Sequence, residues 1–388
     1  MNILFLFDRP FDESKGGVER VTHIISEGLR KKGHNIFFLS IDISKEELEG
    51  LPSDKYHYYI KSQDQDLFYN IIQTNKIDIV INHILTNNAY RLLNNFSIKG
   101  TKIISLLHFQ PFAIINKERK YFRLLRPTTK SEFIQKYFSL FLPFLYRQVK
   151  IKLIRRQFSR FINTSDKFIL LSDKFIPRLR KYIPNIDIKK IDYINNPNTF
   201  DKKIVTSEKE NIILFVGRMI DPQKNVKGFI DVWKKFNKKF PLWKGIILGD
   251  GPHKLIFEKY AKKNKVSNLY FMGNVKDVAS FYAKSKCLCM TSVYEGWGMV
   301  LTEALSYGCI PVVYETYEAV HDIIENEETG YIIPPFKTKK MVKVLSQIAS
   351  NDSLRISMAN KGKQSVERFS TDKIVDIWDE KLKNILNI

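Results

Sequence analysis

Glu295 and Glu303 bracket the turn Gly296-Trp297-Gly298, which runs directly into an apolar stretch containing Met299, Val300, Leu301, Ala304 and Leu305. Apolar strands precede the segment at 287–290 and follow it at 310–313, so it reads as a strand–loop–helix–strand unit. Such a loop opens at the carboxyl edge of a parallel sheet, where sheets of this kind bind ligands. At the helix start the amides of Gly298, Met299 and Val300 have no intrahelical acceptor, and the helix dipole favours an anion there. Surface helices are rich in Glu, so two carboxylates alone mean little. Glu295 sits among two glycines and a tryptophan, however, and Glu303 within an apolar run where a charge needs a partner. An anion site beside hydroxyl-binding carboxylates is the chemistry a nucleotide sugar requires.

Other strand ends carry residues of similar type. Gly217, Arg218 and then Lys224 follow the apolar run 211–216. Gly249-Asp250-Gly251-Pro252 follows 244–248, and Gly273-Asn274 follows 268–272. Nearer the amino terminus, Gly16 and Gly17 lie between a strand at 2–7 and a helix with apolar Val18, Val21, Ile24, Ile25 and Leu29. Two glycines there permit a close backbone approach to a phosphate, or simply a turn before a helix. His108 follows the run 102–107 and lands at a strand's carboxyl end; a lone His is otherwise more often a structural hydrogen-bonding residue.

Two successive sets of alternating strands and helices must position these residues. The first has strands at 2–7, 36–41, 77–84, 102–107 and 167–172; the second at 211–216, 244–248, 268–272, 286–290 and 310–313. This alternation predicts an α/β chain of two Rossmann-like, doubly wound parallel-sheet domains with helices on both faces. A polar, proline-bearing stretch at 195–209 reads as the linker. The expected division is an N-terminal domain at 1–200, a C-terminal nucleotide-sugar domain at 201–369, and a terminal helix at 370–388 that packs back toward the first. A helical excursion within 113–163 interrupts the first set.

A chain of 388 residues suits two cores rather than one. No run approaches the ~20 apolar residues needed to cross a bilayer. The amino terminus lacks the basic start and small-residue cleavage site of a secretory signal. Cys287 and Cys289 alternate in an apolar strand, so the three cysteines read as reduced core residues and the setting as cytoplasmic. Net charge is +22, and residues 117–181 hold eighteen Lys or Arg against four acids. Between 133 and 165 there is no acid, and Tyr137, Phe138, Phe141, Phe144 and Tyr146 interleave with Arg147, Lys150, Lys152, Arg155 and Arg156. A basic amphipathic segment of this composition suits an anionic membrane surface. A solvated helical face is the plainer reading. No nucleic-acid module is recognisable, so nucleic acid is not an expected partner.

Together these motifs resemble the retaining glycosyltransferases of the GT-B fold, specifically glycosyltransferase family 4, also called group 1. The resemblance rests on Gly217-Arg218 with Lys224, the Gly249-Asp250-Gly251 turn, the Glu295-to-Glu303 spacing and Gly16-Gly17-Val18-Glu19. It covers essentially the whole chain and is weakest at 112–163. Trp297 stands where the family more often has Phe.

The resemblance implies two Rossmann-like domains facing across a cleft. It implies that Arg218 and Lys224 meet the donor diphosphate as the sugar–phosphate bond breaks. Glu303 would hold ribose hydroxyls, Glu295 the transferred sugar, and Asn274 with its neighbours the base. His108 would touch the donor sugar, and Gly16, Gly17, Gly217, Gly298, Met299 and Val300 would line the donor site. The implied activity moves a hexose or N-acetylhexosamine from a nucleotide sugar, expected to be UDP-linked, to a saccharide acceptor. The acceptor is expected to be lipid-linked, in bacterial cell-surface polysaccharide assembly (lipopolysaccharide or capsule) at the inner face of the cytoplasmic membrane. No cofactor or metal is expected, since no Asp-x-Asp pair flanks the site and cations occupy that role. The alternatives are a nucleotide-sugar epimerase of the same fold, a sugar phosphorylase, and a non-enzymatic nucleic-acid or anionic-surface binder.

Overall fold

Branched and aromatic residues dominate the strand runs on both faces, which is what a parallel sheet covered by helices on each side demands. The computed structural model describes residues 1–13, 16–48, 56–94, 98–115, 117–127, 129–200 and 208–388. It divides into two compact units.

The first unit comprises Met1–Phe112, Lys150–Thr199 and Phe369–Ile388. Its strands are β1 (Asn2–Phe7), β2 (Asn35–Ile41), β3 (His57–Ile60), β4 (Ile79–Asn82), β5 (Lys102–Leu107), β6 (Lys167–Leu170) and β7 (Ile191–Tyr193). They form one parallel sheet in the order β3-β2-β1-β4-β5-β6-β7. The order reverses between β1 and β4, where Leu6 lies opposite Asn82. The terminal helix Thr371–Leu386 packs on the helix Gly17–Lys31, where Gly28 leaves room for Val375. Buried His34 meets Asp379 at 2.8 Å, and Lys381 meets Asp192 at 2.6 Å.

The second unit comprises Ala113–Val149 and Phe200–Arg368. Its strands are β8 (Glu210–Val216), β9 (Lys244–Leu248), β10 (Leu269–Gly273), β11 (Ser285–Met290), β12 (Ile310–Tyr314) and β13 (Tyr331–Ile333). They too are parallel, in the order β10-β9-β8-β11-β12-β13, with the reversal between β8 and β11. The expected pair of doubly wound parallel sheets is what the chain forms. Cys287, Cys289 and Cys309 are free and buried, and burial pushes the Cys309 thiol up to about 12.

Several expected boundaries differ. Residues 201–207 of the expected linker lie outside the described residues. The excursion forms the helices Glu118–Leu124, Lys130–Phe141 and Pro143–Thr164, and its part up to Val149 groups with the second unit. The cause is contact: Lys117 donates to the Thr316 carbonyl, Arg126 approaches Asp221 at 3.8 Å, and Lys120 lies over the Phe336 ring. Expected strand 77–84 is shorter, so His83 falls just past the end of β4.

Candidate functional site

In the second unit, the loops after β8 and β11 flank the point where the strand order reverses, the usual ligand position in such a sheet. The two loops are tied together. Val293 N donates to the Gln223 carbonyl at 2.7 Å, and the buried Asn225 amide donates to the Thr291 carbonyl at 3.0 Å. Lys224 passes beside Gly217 and reaches Glu295 with Nζ 2.6 Å from Oε1. Ser292 Oγ donates to the same oxygen at 2.6 Å. Both bonds converge on Oε1 of a carboxylate that is 6% exposed, so the second oxygen remains the available acceptor. Arg218 is exposed on the loop after β8.

Gly298 caps the helix Met299–Ser306 with φ +86 and makes no side-chain cap bond. That backbone conformation favours glycine, and a β-carbon there would sit 2.3 Å from the Tyr317 hydroxyl. The amides of Met299 and Val300 stand in the first turn, and both residues are partly exposed. The Tyr317 hydroxyl is buried without a hydrogen-bond partner. Burial and the nearby Glu295 charge raise its pKa well above the usual phenol range, so it is a neutral donor. A buried donor left unmade beside a carboxylate and a helix amino terminus is suited to a ligand oxygen.

Glu303 lies one turn into the same helix, is 2% exposed, and accepts from the Tyr282 hydroxyl at 2.7 Å. Asn274 is exposed beyond β10. The glycine turn after β9 is dictated by backbone crowding: Gly249 has φ +124, and a β-carbon would meet the Gly217 carbonyl oxygen at 2.2 Å. Asp221, buried beside His253, is pushed up to about 6 by burial, opposed by Arg126, Lys227 and Lys120. Among the described residues no group of three or more His, Cys, Asp or Glu is gathered as metal ligands.

In the first unit, Gly16 precedes the helix Gly17–Lys31 in extended backbone, and its lack of a side chain makes room for the buried Glu19 carboxylate. Arg9, in the loop after β1, pairs with Glu19 at 3.2 Å. His108 follows β5, and its Nε2 lies 2.6 Å from Nδ1 of His83. Burial, then the Arg9 charge, pulls the His108 pKa down to about 4. The structure thus brings Lys224, Glu295, Gly217 and Gly298 together in one unit, and in the other places His108 on a second histidine.

Sequence reasoning missed His83, Ser292, Tyr282 and Tyr317. His83 fell within the expected strand 77–84, and Tyr317 was not singled out; a polar residue at a strand's carboxyl end was the available signal.

Residues 197–365 match the family model of Glycosyl transferases group 1. An uncharacterized glycosyltransferase of Haemophilus influenzae is 30% identical over 190 residues, covering 48% of this chain and 53% of that protein. A Campylobacter jejuni protein named GalNAc-alpha-(1->4)-GalNAc-alpha-(1->3)-diNAcBac-PP-undecaprenol alpha-1,4-N-acetyl-D-galactosaminyltransferase is 28% identical over 204 residues, 52% of this chain and 56% of that one. The chain thus spans about half the length of the relatives it matches. An S. aureus TarM variant in complex with fondaparinux, alpha-GlcNAc-glycerol and UDP superposes with a TM-score of 0.72 over the whole of both chains at 14% identity. The shared architecture is the GT-B fold of two Rossmann-like domains.

Proposed function

We propose that this chain is a glycosyltransferase that takes a hexose or N-acetylhexosamine from a nucleotide sugar and retains its anomeric configuration. The observation that carries this reading is the convergence of Lys224, Glu295 and the amino terminus of the helix Met299–Ser306 on the strand-order reversal between β8 and β11. The family match over the same residues and the ligands of the relatives support it.

Lys224 neutralises Glu295 across their 2.6 Å contact. An arriving diphosphate draws the ammonium toward itself, with Arg218 and the amides of residues 298–300 completing the anion site. Glu295, released from Lys224, accepts from hydroxyls of the transferred sugar, and Glu303 from the ribose. As the bond between the anomeric carbon and the diphosphate oxygen breaks, that oxygen takes the acceptor hydroxyl's proton, and the new bond forms on the same face. Fixed cations and dipoles stabilise the departing charge, so no metal is required.

The acceptor is a lipid-linked saccharide of bacterial surface-polysaccharide assembly, met at an anionic membrane. The helices Lys130–Phe141 and Pro143–Thr164 favour this, because Phe141 and Phe144 are 77% and 74% exposed within a stretch free of acids. No described helix is long and apolar enough to cross a membrane.

A panel of nucleotide sugars incubated with undecaprenyl-diphosphate saccharides tests the proposal. The expected result is acceptor-dependent release of nucleoside diphosphate, undiminished by chelator, with a product of the donor's anomeric configuration. Conversion of the sugar without any acceptor would replace this reading with epimerisation.

A further inference from the structure

The carboxyl end of β4 lies at the strand-order reversal of the first sheet, and His83 is the residue that follows it. Three hydrogen bonds hold it and its neighbours in place. His83 N donates to the Leu6 carbonyl at 3.1 Å, and the side chain of Asn82 accepts from Ile84 N at 3.1 Å while donating to Ser105 Oγ at 3.2 Å. Its ring is fixed as well, stacked on Phe7 with centroids 4.7 Å apart and planes within 7°. From that position Nδ1 meets Nε2 of His108 at 2.6 Å. The two imidazole planes lie within 11° of each other with centroids 4.9 Å apart. The nitrogens are much closer than the ring centres, so the rings meet edge to edge, as a single in-plane N–H···N bond requires.

We propose that His83 is a positioning residue that holds His108 as the tautomer protonated at Nδ1, so that His108 presents an N–H donor to a substrate hydroxyl. This rests on the glycosyl-transfer reading for the substrate, and on the first unit alone for the tautomer. Two neutral imidazoles can share one hydrogen bond in two ways. If His108 were the donor, His83 would carry its own proton on Nε2, which is buried without a hydrogen-bond partner. A buried N–H left unmade is among the costlier defects of a folded chain. If His83 donates from Nδ1, its Nε2 is bare and the His108 proton is forced onto Nδ1. Apolar surroundings keep both rings neutral, since burial lowers each pKa. Arg9, the cation acting on His108, is engaged by Glu19.

Nitrogen-15 NMR of the ligand-free protein reads the tautomer directly. The expected spectrum shows His108 protonated at Nδ1 and His83 also at Nδ1, both neutral at pH 7. His83→Phe keeps the ring stack and removes the bond; it should free His108 to populate the other tautomer and lower kcat/KM roughly tenfold, mainly through kcat. His83→Asn, whose amide can donate from the place of Nδ1, should restore most of that loss. His108 protonated at Nε2 in the unaltered protein overturns the proposal, as does a His83→Phe variant with unchanged tautomer and rate. The expected spectrum in a protein that transfers no sugar would leave the positioning intact and remove the glycosyl-transfer reading instead.

Discussion

Lys224 and Glu295 make opposite predictions although they form one ion pair. Glu295→Gln removes the charge that holds Lys224 but can keep the Ser292 bond, so affinity for nucleoside diphosphate should rise several-fold. The transfer rate should fall by about tenfold or more, because the sugar loses a charged acceptor. Lys224→Met should weaken diphosphate binding and destabilise the fold, leaving a nearly buried carboxylate without its cation. Calorimetric titration with UDP separates the two, and equal losses in both variants would refute the exchange of partners. His108 supplies a pH test. Its folded pKa is about 4 against an ordinary 6.5, so between those values the unfolded chain binds a proton that the folded chain lacks. Its contribution to stability is full above pH 6.5 and falls as pH drops toward 4. Urea unfolding at pH 7 and pH 5 should show a smaller drop for His108→Gln than for the unaltered chain; identical drops would show that the ring is not held neutral.

At the scale of elements, the long central strands were legible because their apolar runs are continuous. The strands missed were β3, β7 and β13, each of three or four residues at a sheet edge. Edge strands that short carry too little pattern to be separated from a loop. For the site, the spacing of Glu295 and Glu303 and the residues after β8 could be read from sequence. The pairing of His83 with His108, 25 residues apart, could not, because it depends on which strands become neighbours. The attachment of segment 113–149 to the second unit was likewise invisible, being set by scattered contacts such as Arg126 with Asp221. The seam between the helices Gly17–Lys31 and Thr371–Leu386 is testable. A β-carbon on Gly28 would lie 2.3 Å from Val375 Cγ2, so Gly28→Val should cost about 1–3 kcal/mol. A urea midpoint matching that of the unaltered chain would mean the seam is loose.

For the whole molecule, the proposed membrane contact combines a net charge of +22 with an exposed aromatic patch. Binding to vesicles containing phosphatidylserine should fall steeply with salt, at ~1 kcal/mol for each basic residue near the surface. Exchanging Phe141 and Phe144 for Ser should weaken it further without lowering thermal stability, since both rings stand in solvent. Sedimentation with charged and neutral vesicles checks this, and equal binding to both would remove the membrane from the account.

The anion site itself is tested most directly by a crystal structure of the chain with UDP. The diphosphate is expected at the amides of residues 298–300, with Lys224 turned from Glu295 to a phosphate oxygen. A diphosphate bound elsewhere, with the 2.6 Å Lys224–Glu295 bond still closed, would contradict it.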